Sequence, residues 1–275
     1  MCVFSAKGGV GRTTLACNLA VALKQMTGRR VALVDGNFAF GDVGVMLNLI
    51  SRFSINDLLP SLGRLYPAEF RRVMVEHSSG VQVLLGPQRP EMAELIGAEA
   101  VSTILRGLQS VFDYVIVDTW TSFHDVMLSV LDHSDPVLLL TTLDLPAIKN
   151  VRMFLDVCQA LDYSREKVML VLNRSDSTGG LNVLSIEQSL RYTFAASLVS
   201  AGPLVTNAIN RGVPFVLSDP DARISQDVFN LARLVLRPGD ARETRRVDRA
   251  PTPEPPRGLS LGRIRVPVFS RKAGE

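Results

Sequence analysis

Cysteine is scarce: Cys2, Cys17 and Cys158 are the only three, and they are far apart. No Cys-x-x-Cys pair exists, which excludes a disulfide framework and a zinc site and leaves three small apolar residues suited to a reducing cytoplasm. Histidine is as sparse, with His77, His124 and His133 scattered along the chain. Their order supports no Ser/His/Asp or Cys/His constellation, and they read as solvated or satisfied histidines. Long apolar runs are missing as well. None approaches the roughly 18 residues needed to span a bilayer, and the N-terminus has no basic region followed by an apolar stretch and a cleavage site, so the expected location is cytoplasmic.

A surplus of charge is missing from most of the chain. The formal charge is +3, yet residues 239–275 hold nine Arg or Lys against five Asp or Glu, so that the remainder carries −1. A nearly neutral body argues against a broad nucleic-acid footprint, which needs clustered cations to neutralise phosphates.

What the chain does have is apolar content. At 275 residues and 47% hydrophobic, it can bury one large core, so a single α/β domain suffices for residues 1–237. Apolar runs that read as strands recur at Cys2–Ser5, Val31–Asp35, Val81–Leu85, Tyr114–Asp118, Val137–Thr141 and Val168–Asn173. They are continuous rather than alternating, which predicts strands covered on both faces: a three-layer α/β fold with a mainly parallel sheet flanked by helices. Helical spacing follows at Thr13 to about Met26 with a stop near Gly28, and at Pro67–His77, Ala98–Val111, Pro146–Leu161, Ile186–Phe194 and Ala222–Leu236. Residues 238–275 hold six of the fifteen prolines and many arginines, a composition that predicts a disordered tail. Within it, Gly258–Phe269 mixes apolar residues with arginines, a pattern fitting peripheral contact with the inner face of a membrane or with a partner. Pro267 and two glycines oppose a stable amphipathic helix there, so a solvated tail is the favoured reading.

Function is concentrated in Lys7-Gly8-Gly9-Val10-Gly11-Arg12-Thr13-Thr14, which follows a strand and opens a helix. In that setting glycines let backbone N–H groups turn around phosphate oxygens, and the helix N-terminus adds partial positive charge. A triphosphate such as ATP matches this loop, with the Thr13 hydroxyl a ligand for Mg²⁺ and Thr14 reaching the α-phosphate. The bland alternative, a glycine-rich turn and no more, fails to explain why Lys, three glycines and two threonines coincide in the right order. Tyr114–Asp118 is an apolar strand delivering a carboxylate at its end, where Asp118 would hold Mg²⁺ through water.

These residues resemble the MinD/ParA family of deviant Walker P-loop ATPases, whose loop reads KGGxGKT. The resemblance implies a P-loop NTPase fold, ATP and Mg²⁺ as ligands, and an ATP-dependent homodimer in which Lys7 reaches the partner's phosphates. It makes Asp35 the first carboxylate beside the metal and puts Asn37 where the family has the Asp that orients the attacking water. An amide can hold a water but is no general base. Asp42 replaces that Asp only if its loop folds back; otherwise it caps or turns the loop. Arg12 replaces the compact loop lysine with a longer, planar fork. Thr119-Trp120-Thr121-Ser122-Phe123 stands where Thr-Pro-Pro-x-Phe is usual. Asn173-Arg174 matches the adenine contact, and Ala208–Pro214, with Asn210 and Pro214, the loop closing over the base; an Asn after a strand is otherwise a turn residue.

Further segments look like the CpaE/TadZ branch associated with Flp (Tad) pilus assembly: Phe40–Gly44, Ser54–Leu59, Leu143–Asn150 and Val171–Asp176. The branch implies a localisation or assembly factor whose partners are pilus and secretion assembly proteins, and its members often carry an upstream receiver-like domain. Capping the helix after the Val137 strand is the plain role for the Asp-Leu-Pro-Ala-x-Lys-Asn segment at 144–150. Three functional classes stand: an ATP-binding dimer with slow hydrolysis, a nucleotide-free scaffold, and a ParA-type DNA-partition ATPase. The neutral body disfavours the last, which ATP-dependent, salt-sensitive DNA retention would revive.

Overall fold

The computed structural model describes residues 1–177, 181–237 and 240. Its chain order is β1 (Cys2–Phe4), α1 (Arg12–Thr27), β2 (Val31–Asp35), α2 (Val43–Met46), α3 (Pro67–Val73), β3 (Val75–Glu76), β4 (Gln82–Leu84), α4 (Ala98–Val111), β5 (Tyr114–Asp118) and α5 (Asp125–Asp132). Then follow β6 (Val137–Thr141), α6 (Leu145–Ala160), β7 (Val168–Asn173), α7 (Val183–Leu190), β8 (Phe194–Leu198), α8 (Gly202–Arg211), α9 (Phe215–Ser218) and α10 (Arg223–Leu234). Three-ten turns cover Ile55–Arg64, Pro90–Leu95 and Arg165–Lys167.

The strands form one sheet in the order β3-β4-β2-β5-β1-β6-β7-β8. Every pairing is parallel except β3 with β4, so the mainly parallel sheet expected from the apolar runs is what forms. Side chains alternate between two cores. Val3, Leu33, Ile116 and Leu138 face α1 and α10, while Phe4, Val34, Val117 and Leu139 face the layer holding α4 and α6. Covering a strand on both faces removes the need for polar alternation, which is why these runs read as continuous. Helix α1 is itself buried over Leu15–Leu23, so its apolar residues surround it rather than forming one stripe.

The fold departs from expectation at its edges. Two short strands went unrecognised: β3 lies inside the predicted helix Pro67–His77, which ends at Val73, and β8 takes Phe194 from a helix that ends at Leu190. β3 is only two residues long, and β8 alternates half-buried Phe194 and Ala196 with exposed Ala195 and Ser197, so neither carries a continuous apolar signal. Ala208–Arg211, read as loop, is the last turn of α8, and Gly212 closes it.

No helix among the described residues is long and apolar enough to cross a membrane. The tail expected to be disordered lies outside the described residues apart from Asp240. That residue accepts a hydrogen bond from the Tyr114 hydroxyl (2.8 Å) and pairs with Arg29 (2.8 Å).

Candidate nucleotide site

Central strand β1 delivers the phosphate loop to α1. Gly11 is the N-cap with φ +96°, and a Cβ there would also lie 2.9 Å from the Asn173 amide nitrogen, so both backbone shape and space require glycine. The loop's carbonyls are turned outward onto side chains. Arg12 Nη1 donates to Ser5 (3.1 Å), Asn150 Nδ2 to Ala6 (2.9 Å), Ser5 Oγ to Lys7, and Asn173 Nδ2 to Val10 (2.7 Å). With the carbonyls so held, the N–H groups of Gly8 to Gly11 make no hydrogen bond of full geometry among the described residues, Gly8 and Gly9 lying in a tight turn. Successive free N–H groups at a helix N-terminus make a concave anion site.

Beside this nest stand two carboxylates at matched register, Asp35 at the end of β2 and Asp118 at the end of β5. Asp118 is fully buried and Asp35 nearly so. Asp118 Oδ2 accepts from the Thr13 hydroxyl at 2.6 Å, while its Oδ1 is buried without a hydrogen-bond partner among the described residues. Asp35 accepts from the N–H groups of Asn37 (3.3 Å) and Val43 (3.2 Å). Burial, reinforced by the Asp118 charge, pushes the Asp35 carboxyl up to about 8. Burial likewise raises Asp118 to about 7, opposed by the Thr13 hydrogen bond and the Arg12 charge. Two adjacent buried carboxylates with an orphaned oxygen and a hydroxyl in reach form an oxygen donor set of the kind a hard divalent cation takes, so the residues present fit Mg²⁺.

Thr13, Asp35 and Asp118 are thus brought together. Arg12 is bonded to the Ser5 carbonyl, its Nε is buried with no hydrogen-bond partner among the described residues, and burial lowers its pKa against the raising charge of Asp118. Lys7 pairs with Asp144 at 2.9 Å. Asp144 is also the N-cap of α6, accepting from Ala147 N–H at 3.0 Å, so the capping role read from the sequence holds and a second role accompanies it. Pro at the first turn of α6 announced that cap. Nothing in the sequence announced the contact with Lys7 or the grip of Asn150 on Ala6, because both join segments more than a hundred residues apart.

The loop after β2 folds back over Asp35: a Cβ at Gly41 would lie 2.2 Å from its Oδ2. Asn37 Nδ2 is occupied by the Phe40 carbonyl at 2.6 Å. Asp42 occupies the N-cap position of α2, makes no side-chain cap bond, and lies near enough for its charge to raise both Asp35 and Asp118. On the base side, Thr14 and Pro214 line one narrow crevice with Met46 and Ile209. Asn210 sits exposed on α8 and Arg174 is exposed with φ +54°, while Asn173 spends its amide on the loop and its Oδ1 on the Arg174 N–H. After β5, Thr119 is buried and donates to the Val3 carbonyl at 2.8 Å, and Trp120 donates to His124 at 2.9 Å.

Comparison with known proteins agrees with this geometry. The family model described as "ParA: NUBPL iron-transfer P-loop NTPase" matches residues 1–236. The septum site-determining protein MinD of Thermotoga maritima is 26% identical over 238 residues, spanning 85% of this chain and 86% of that one. MinD of Bacillus subtilis is 24% identical over 241 residues, 85% of this chain and 87% of that one. Among solved structures, a ParA family ATPase from Chlorobium tepidum superposes with a TM-score of 0.80 at 24% identity, covering 86% of this chain and 98% of that one. MinD of Pyrococcus horikoshii, complexed with Mg-ADP, gives 0.74 at 20% identity, covering 85% and 94%.

Proposed function

The chain belongs to the MinD/ParA family of P-loop NTPases, and on that footing we propose that it binds ATP with Mg²⁺, pairs with a second copy across the nucleotide, and serves as a localisation and assembly factor for a Flp pilus machine. The observation that carries the nucleotide part is the set made by the free N–H groups of Gly8 to Gly11, the Thr13 hydroxyl, and the Asp35–Asp118 pair. The nest takes the phosphates. Thr13 and Asp118 hold the cation with Asp35 beside them, and Mg²⁺, when bound, supplies positive charge to the phosphate oxygens.

Self-pairing is supported by the surface around the loop, where Phe40, Val45 and Leu145 are each about 70% exposed. Lys7 must leave Asp144 to reach a second copy's phosphates. Both side chains are about 40% exposed, so that exchange costs little. Hydrolysis is slow on this reading. Asn37 cannot accept a proton from water, its amide is held by the Phe40 carbonyl, and Arg12 is folded onto Ser5. Turnover of Asn37→Asp tests this: it should exceed wild type several-fold, and wild-type turnover at the variant's pace would end the idea.

The pilus partner rests on the likeness of Phe40–Gly44, Ser54–Leu59 and Leu143–Asn150 to the CpaE/TadZ branch, while relatives named as septum site-determining proteins make division-site placement the competing assignment. Imaging the tagged protein against the pilus base and the septum separates them, and loss of pili on deletion with normal septa supports the first. A nucleotide-free scaffold is favoured by one observation, the Arg12 fork bonded within its own loop. Equilibrium binding of a fluorescent ATP analogue distinguishes it, since a scaffold gives no saturable signal.

A further inference from the structure

Away from the nucleotide, a bowl of about 460 Å³ opens between the turn Ile55–Arg64, the end of α3 and the turn Pro90–Leu95. Three arginines line it, Arg52, Arg72 and Arg89, against a single carboxylate, Asp57. Asp57 is already committed, since its Oδ2 accepts the Ser54 N–H at 2.8 Å. Arg52 has no ion pair among the described residues. Arg72 and Arg89 approach Glu69 and Glu91 through Nε, each at 3.5 Å, Arg72 Nη2 donates to the Asp57 carbonyl at 3.3 Å, and neither glutamate lines the bowl. The guanidinium groups of Arg52 and Arg72 both lie over the Phe53 ring, at 5.0 and 5.7 Å.

Two like charges on one ring repel each other, and stacking holds them there with part of their side-chain freedom already spent. An anion relieves the repulsion and meets forks that are already oriented. The wall is also partly apolar. Met92 and Pro60 line it. A small inorganic anion has no use for that shoulder, whereas a peptide carrying both carboxylates and apolar side chains uses all of it.

We propose that the bowl between Arg52, Arg72 and Arg89 is a docking site for an acidic, partly apolar peptide segment of a partner protein. The site stands apart from the nucleotide reading, so either can fail without the other. The test uses the full chain and a fluorescein-labelled peptide of about twelve residues, alternating Glu with Leu, followed by anisotropy at physiological salt. Saturable binding should weaken about tenfold or more in Arg52→Ala/Arg89→Ala. Charge reversal in Arg52→Glu/Arg89→Glu should abolish it, with circular dichroism and binding of the fluorescent ATP analogue unchanged. Equal binding by both variants would place the contact elsewhere, on the basic tail for instance, and overturn the proposal. No saturable binding, or full competition by low-millimolar inorganic phosphate, would also overturn it, the latter by marking a phosphate site instead.

Discussion

Asp35 and Asp118 end two adjacent buried strands at matched register, whereas Asn37 and Asp42 follow on a loop shaped by one amide-to-carbonyl bond and by close packing on Asp35. The first pair cannot move without shifting the sheet. The second can be re-aimed by a few backbone torsions. On the proposed reading the metal half of the site is fixed by the fold, and the hydrolytic half depends on loop conformation, one of the places where this chain departs from the family pattern.

The sharpest way to break that contrast is to remove one fixed carboxylate's charge. Asp118→Asn keeps the shape, and the Mg²⁺-dependent part of ATP affinity should fall about a hundredfold. A fall of less than about threefold by calorimetry would mean the strand pair is not the metal site.

The pair also sets a pH dependence. Both carboxyls are raised by burial above the ordinary aspartate value, to about 8 and about 7, so the metal-free fold holds protons that the unfolded chain releases. Their stabilising contribution is complete below about pH 4 and is lost as pH rises towards 8. Asp35→Asn should therefore raise the metal-free melting temperature at pH 8 by about 5 °C or more and change it little at pH 4. Equal shifts at both pH values would contradict the burial of this pair.

The loop half is probed at Gly41. A methyl group there meets the Asp35 carboxylate, so Gly41→Ala should cost about 2 kcal/mol in urea unfolding. No loss would mean that the loop does not fold back. The smallest effect belongs to Asp144→Asn, which keeps a capping side chain but frees Lys7. Stability should change by less than about 0.5 kcal/mol, while ATP-dependent self-association, read by light scattering, strengthens a few-fold.

The same contrast explains what was legible in the sequence. Asp118 ends an apolar run and Thr13 follows a glycine loop, so local pattern singles out both, while Asp35, which also ends such a run, is singled out by the family resemblance. That Thr13 bonds Asp118 follows from β1 lying beside β5, which the order of strands in the chain does not reveal. The resemblance puts Asn173 at the base, and its amide also holds the loop's own backbone at Val10, a tertiary approach made possible by Gly11. Asn210 was read as a loop residue but lies on helix α8, since the Gly that closes the helix comes two residues later. The grip of Asp144 and Asn150 on Lys7 and Ala6 arises only once β6 lies beside β1.

Calorimetric titration of ATP into the full chain, with Mg²⁺ and again with the metal chelated, tests the nucleotide site most directly. A nest of free N–H groups flanked by Thr13, Asp35 and Asp118 should give saturable binding that Mg²⁺ strengthens about tenfold or more. Absence of heat at millimolar nucleotide, or the same affinity with and without the metal, would contradict it.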